Sequence, residues 1–148
     1  MGTNRHSLET LTKSILNRLE NNKMIVFNPR DRGLVHQELM SMMGKCVVTE
    51  EDLAKRVRDE VSGETEALSE QNITETEAFK SRKHALLKEI GENGLHGFYF
   101  QVPIRDIGNK VCKFLFDCKL IEDVFETDEE IRKSVVETIQ NFDESKLS

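Results

Sequence analysis

Three cysteines and four histidines are the side chains in this sequence best suited to nucleophilic, acid–base or metal chemistry. Cys46, Cys112 and Cys118 form an odd set with no C-x-x-C pair, so neither a zinc ribbon nor a dithiol redox motif is spelled. Cys112 and Cys118 lie in one apolar stretch, and all three read as core thiols of a reducing compartment. His6, His36, His84 and His96 have no cysteine or histidine at ligand spacing. His96, between Leu95 and Gly97 and near Glu92, is the best lone candidate for a general base. No nucleophile or orienting group stands beside it, and a structural turn histidine is the competing reading.

The acidic run Asp117, Glu122, Asp123, Glu126, Asp128, Glu129 and Glu130 is dense enough to gather a divalent cation. It lacks the loop glycine and alternating ligands of a calcium loop, so a solvated face opening on a helix start is expected. Phosphate-cradling patterns are absent, as are H-E-x-x-H and the serine-hydrolase elbow. Gly91, Gly94 and Gly97 follow a helix instead of joining strand to helix, the wrong context for binding phosphate. Catalytic residues, cofactors and metal ligands are therefore all expected to be none.

Two clusters could bind instead of react. Phe98-Tyr99-Phe100, as a strand, would expose one side for a protein contact or a base-stacking platform, with a buried hairpin as the alternative. Lys80-Ser81-Arg82-Lys83-His84, with Lys88, lines part of a helix. The candidate binding surface is thus Phe98, Tyr99, Phe100, Lys80, Arg82 and Lys83. Charge bears on what it would meet. The net charge is −6, with seven Lys+Arg against four Asp+Glu in residues 1–48 and 14 against 23 in residues 49–148. An acidic chain with a mildly basic first third does not suit a polyanion as its default partner.

Those side chains must be positioned by elements that the apolar spacing spells. Leu8, Leu11, Ile15, Leu16 and Leu19 make a helical stripe over 7–22, with Ser7 as its expected N-cap. Met24 to Phe27 is a short β-prone run closed by Asn28-Pro29. A second helix is expected over about 30–44, using Leu34, Val35, Leu39, Met40 and Met43 and ending at Gly44. Thr49 opens a third, with Leu53, Val57 and Val61 inside and Glu50, Glu51 and Asp52 in its first turn, stopping near Ser62-Gly63. Residues 63–73 read as a loop or linker. Thr74-Glu75-Thr76-Glu77 is a capping box for a helix burying Phe79, Leu86, Leu87 and Ile90 and ending at Gly91. Residues 98–102 read as a strand, and Pro103 opens a helix with Ile104, Ile107, Val111, Cys112 and Leu115. An extended piece over 120–125 and a last helix from Thr127 follow, burying Ile131, Val135, Val136, Ile139 and Phe142 before a fraying tail over 143–148.

A shift of 96 residues without a gap brings Leu8, Leu11, Ile15, Leu19, Ile25, Val35, Leu39 and Met43 onto Ile104, Ile107, Val111, Leu115, Ile121, Ile131, Val135 and Ile139, and Lys23 onto Lys119. Two copies of a helix, extended segment, helix unit are expected, paired about a pseudo-two-fold axis with 24–27 and 120–125 meeting in a ribbon. The fold class is mainly α: about six helices as two such units plus connecting helices, with a minor β-ribbon. The expected divisions are 1–62, the first unit with its third helix; 63–73, the linker; 74–102, a connecting helix and the aromatic strand; and 103–148, the second unit.

Leu11-x3-Ile15-x3-Leu19, Ile25-x-Phe27, Leu34-Val35, Leu39 and Glu50-Glu51-Asp52-Leu53-x3-Val57-Arg58 resemble the bacterial family known as domain of unknown function 507. Lys83, Leu86, Leu87, Lys88 and the Gly91 turn resemble its closing lysine-rich helix. The likeness runs from residue 7 to about 100, and 104–142 restarts the pattern without an equivalent of 49–61. It implies a bacterial, cytosolic, helical protein and brings no active site. No window approaches the 18 apolar residues of a spanning helix, and Met1 to Ser14 holds no secretory signal, so a cytoplasmic address and no membrane role are expected. The leading expectation is a non-enzymatic adaptor or regulator acting by protein–protein interaction, with a partner protein or a second copy of the chain. The alternative is a nucleic-acid or ribosome-associated factor using Arg18, Lys23, Arg30, Arg32, Lys80, Arg82 and Lys83.

Overall fold

A computed structural model describes residues 3–63, 74–90 and 94–142. Among the described residues, six α-helices and five short strands run in the order α1 (Arg5–Asn21), β1 (Ile25–Phe27), a 3-10 turn (Pro29–Asp31), α2 (Arg32–Cys46), β2 (Val47–Thr49), α3 (Glu50–Ser62), α4 (Glu75–Ile90), β3 (Gly94–Leu95), β4 (Phe98–Phe100), α5 (Ile104–Asp117), β5 (Ile121–Val124) and α6 (Asp128–Gln140). The protein is mainly helical. The Glu64–Ile73 part of the expected linker, the stop at Gly91, Glu92 and the 143–148 tail lie outside the described residues.

The helix starts follow their caps. Asn4, not Ser7, caps α1: its Oδ1 accepts from the Ser7 amide at 3.1 Å, and Ser7 Oγ accepts from the Asn4 amide at 3.1 Å. Ser7 is the third residue of a capping box, so the helix begins earlier than expected. Thr49 and Asp52 make the same reciprocal box at α3. Thr74 Oγ1 accepts from the Glu77 amide at 3.1 Å, and Thr127 Oγ1 from the Glu130 amide at 3.3 Å. The stop of α2 differs from expectation. A glycine ends a helix by turning left-handed, and among the described glycines the one with positive φ is Gly97, which lies in a hairpin turn and not at a helix end. Gly44 stays helical, α2 runs on to Cys46, and the chain passes straight into β2.

Two small antiparallel sheets stand among the helices. β1 pairs with β5, matching Ile25 to Val124, Val26 to Asp123 and Phe27 to Ile121 across a bulge, so 24–27 and 120–125 meet as expected. The second sheet, in the order β2-β4-β3, contains a strand the apolar spacing did not reveal: Val47 to Thr49 pairs with Phe98 to Phe100. Side chains alternate across a strand, and this sheet is covered on both faces. Val47, Phe98 and Phe100 enter the main core with Leu11, Ile15, Leu39, Val111, Leu115 and Ile131. Val48 and Tyr99 turn the other way, onto a smaller cluster of Leu53, Val57, Val61, Ala78 and Leu86 between α3 and α4. Around the main core, α6 packs on both α5 and α1, and α1 packs on α2.

Candidate functional site

The hairpin carrying the aromatic trio turns at His96-Gly97, where both residues have positive φ (56° and 83°). Such a two-residue turn matches the twist of the flanking strands. Phe98 and Phe100 are each 1% exposed. Of the two readings of the trio, the buried hairpin holds and the contact surface or stacking platform is corrected: α3 and α4 cover the face that would have been open, and Tyr99 is the half-buried residue on that face. The Tyr99 hydroxyl donates to Glu50 Oε1, and burial together with that bond pushes its pKa up to about 12. Glu50 Oε2 in turn lies 3.5 Å from Lys83 Nζ. The strand and the basic helix singled out separately in the sequence therefore meet at one carboxylate.

The basic cluster is partly neutralised. Arg82 Nε lies 3.8 Å from Glu60 Oε2, while Lys80 is exposed. Two other cations named for nucleic-acid binding are also paired: Arg18 with Glu137 at 2.9 Å, and Arg32 with Glu20, the Arg32 guanidinium also lying 5.3 Å from the centroid of the Phe27 ring. Lys23 and Arg30 are exposed.

His96 is exposed, and its Nε2 donates to the Gln140 carbonyl at 2.7 Å, which ties the hairpin to the end of α6. Phe142 packs against Phe98 and the His96 ring, centroids 5.7 and 6.5 Å away. His36 Nε2 lies 3.3 Å from the Glu9 carbonyl, and His6 Nδ1 4.0 Å from the Glu9 carboxylate. The thiols are held protonated. Burial, then a 3.3 Å hydrogen bond to Asp128, pushes Cys112 up to about 11. Burial also raises Cys46, against the pull of Lys110 and Lys45, and raises half-buried Cys118, whose thiol donates to Glu38 at 3.2 Å. A thiol so raised is a poor nucleophile at neutral pH. Among the described residues no group of three or more His, Cys, Asp and Glu side chains is placed to hold a metal ion.

The surface hollows bring together residues that the sequence reading did not single out. One hollow of ≈ 720 Å³ lies between α1, α2 and α3, with Arg5, Lys45, Lys55 and Arg56 around it. A second, of ≈ 300 Å³, lies between α2 and α5, with Lys110 and Lys113, and Lys45 lines both. All six cations are exposed, and none is in an ion pair among the described residues. The signal available in the sequence was local: adjacent Lys55-Arg56 beside the Leu53/Val57 stripe, and Lys110 and Lys113 one turn apart. That these faces adjoin is a fact of tertiary packing. A further groove of ≈ 680 Å³ between α1 and α2 has His6, Lys13 and His36 on its rim. Phe125 (60% exposed) and Val26 share a shallow hollow on the β1–β5 ribbon.

The model of a family described as a protein of unknown function (DUF507) matches residues 1–147, essentially the whole chain, and the chain belongs to that family. No curated protein and no solved structure matches it. Among the described residues no helix is long and apolar enough to cross a membrane.

Proposed function

We propose that this DUF507 chain is a non-enzymatic interaction protein of the bacterial cytosol, an adaptor or regulator that works by holding a partner against its helix faces. The observation that carries this reading is the set of six exposed, unpaired cations gathered around two adjoining hollows in a chain of net charge −6. Unpaired charge concentrated on one face of an oppositely charged molecule steers and orients a partner. The groups best suited to chemistry are engaged otherwise: His96 on a carbonyl, Tyr99 on Glu50, and the three thiols raised above their ordinary range.

The frame behind that face reads as two copies of one helix, strand, helix unit. Leu11, Ile15, Leu19, Val35, Leu39 and Met43 are buried, as are Ile107, Val111, Leu115, Ile131, Val135 and Ile139, their counterparts 96 residues on. Paired units of this kind give a rigid scaffold whose outer faces differ, which suits a holder of partners. The second reading, a nucleic-acid or ribosome-associated factor, draws on Arg18, Lys23, Arg30, Arg32, Lys80, Arg82 and Lys83, and the six cations around the hollows would add to that set as further phosphate contacts.

Retention of host proteins on the immobilised full chain, with and without nuclease, tests the choice. Proteins are expected to stay bound after nuclease and to be lost from the Lys45→Glu, Arg56→Glu variant. Retention that vanishes with nuclease would move the assignment to the second reading, and no retention by the wild-type chain would remove the interaction reading.

A further inference from the structure

Resting on that interaction reading, we propose that the track centred on Lys45 docks an acidic, amphipathic segment of a partner protein, its apolar side chains entering the two hollows and its carboxylates meeting the flanking cations. Lys45 lines both hollows and so makes them one continuous surface. Arg5, Lys55 and Arg56 stand on one side of it, on α1 and α3. Lys110 and Lys113 stand on the other, on α5. Charge complementarity asks for a negative occupant, and three further features of the track select which kind.

The first is the floor. Buried Met40 and Val48 line the larger hollow, and half-buried Met42 and Phe114 the smaller, so each offers an apolar seat between cationic rims. That is the arrangement in which a peptide seats alternate apolar anchors in pockets and leaves its polar side outside. The second feature is the interspersed negative charge. Glu51 and Asp52 lie on the larger hollow and Asp117 on the smaller, and Asp52 is engaged with the Thr49 amide at 3.3 Å. A phosphate backbone, with one charge every ~3.4 Å along a strand, would press charges against these carboxylates. A helical segment with acids four residues apart places them about 6 Å apart and can match the cations alone. The third is aromatic content. Phe114 is the aromatic ring lining the track among the described residues, whereas sequence-tolerant binding of single strands relies on successive stacking platforms.

The test is fluorescence anisotropy on the full chain at about 0.15 M salt. The probes are a labelled peptide of about five helical turns with leucines on one face and glutamates on the flanks, the same peptide with its leucines replaced by glutamine, and a single-stranded RNA of similar length. The leucine-bearing peptide is expected to bind about tenfold more tightly than either control. Lys45→Glu should weaken it by about tenfold, while Lys133→Glu, exposed on α6 and off the track, leaves it unchanged. Each variant is exposed at the substituted position, and an unchanged thermal melt certifies the fold. Equal binding of both peptides, preference for RNA, indifference to Lys45→Glu, or no binding by any probe would each overturn the proposal. Host proteins retained after nuclease but indifferent to Lys45→Glu would remove the track and leave the interaction reading standing; loss of all retention would remove both.

Discussion

At Lys23 the backbone is left-handed, φ 59°, and the reason lies in how α1 ends. The Met24 amide bonds the Leu19 carbonyl at 3.0 Å and the Lys23 amide bonds the Glu20 carbonyl at 3.0 Å, the paired bonds that close a helix on a residue usually glycine. A lysine there bears the steric cost of the left-handed region, so Lys23→Gly should raise unfolding free energy by about 0.5–1 kcal/mol, net of glycine's greater unfolded-state freedom. Equilibrium denaturation would check it, and a destabilised variant would contradict it. A second residue-scale expectation concerns alkali. Cys112 is raised from 9.0 to about 11 in the folded chain, so its protonated form favours the native state. That contribution is fully present below pH 9 and is lost as pH rises through about 11. In Cys112→Ala the fall of stability across that interval should be shallower than in the wild type; superimposable slopes would show that the thiol is not linked to folding. The thiols illustrate what the sequence discloses at this scale. Spacing excluded ligand and dithiol motifs, but the acceptors Asp128 and Glu38, 16 and 80 residues away from their thiols, are set by packing.

Among the elements, the β3–β4 hairpin depends most on a single small residue. Gly97 combines φ +83° with a position where a Cβ would come 2.8 Å from Thr3 Cγ2. Thr3 is itself committed: its Oγ1 donates to the Gly97 carbonyl at 2.6 Å and accepts from the Glu50 amide at 2.9 Å, while its carbonyl accepts from the Glu51 amide at 2.9 Å. The clip fastens the hairpin turn to the start of α3. Gly97→Ala should therefore cost about 1–3 kcal/mol, through backbone strain and displacement of Thr3 together. A loss within the ordinary surface range, about 0.5 kcal/mol, would mean that the turn tolerates a side chain. The hairpin also marks where element reading from sequence succeeds and stops. Helices with long 3.6-period stripes, such as Ile107, Val111 and Leu115, and with Thr caps at 49, 74 and 127, were legible because their signals are local. The partner strand Val47-Val48-Thr49 was not, since three residues carry no period and its bonds go to residues some fifty positions on. For the same reason the aromatic trio was open to both a buried and a half-exposed reading: nothing in its own stretch announces that α3 and α4 cover its second face. The track of cations was illegible on the same ground, each being an ordinary exposed lysine or arginine until four helices bring them side by side.

At the scale of the whole molecule, the two apolar clusters found among the described residues are of unequal size and share the β2-β4-β3 sheet as their common wall, an inequality that should set the order in which the structure opens. The main cluster joins α1, α2, α5 and α6, with Leu19 at 0% and Leu115 at 1% exposure. Truncating either to alanine removes buried methyl groups and leaves a cavity, so each should cost about 2–5 kcal/mol. The smaller cluster rests on Val48, Leu53, Val57, Val61, Ala78 and Leu86, and it reaches the main one through strands of three residues. A region with fewer buried contacts opens at lower free energy than the whole. Amides of α3 and α4 should therefore exchange with solvent before those of α1, α5 and α6. Leu53→Ala, at a site 0% exposed, should lower protection in α3 and α4 while leaving α6 at its wild-type level, whereas Leu115→Ala should lower protection everywhere. Hydrogen exchange followed residue by residue distinguishes the cases: if Leu53→Ala lowers α6 protection by as much as α3, the sheet transmits the loss and the chain opens as one cooperative body. The outcome bears on binding as well. Lys55 and Arg56 ride on α3 and the remaining track cations on the main frame, so early opening of α3 would break the track in two, and a partner bound to the closed form at free concentration c would stabilise it by RT ln(1 + c/Kd).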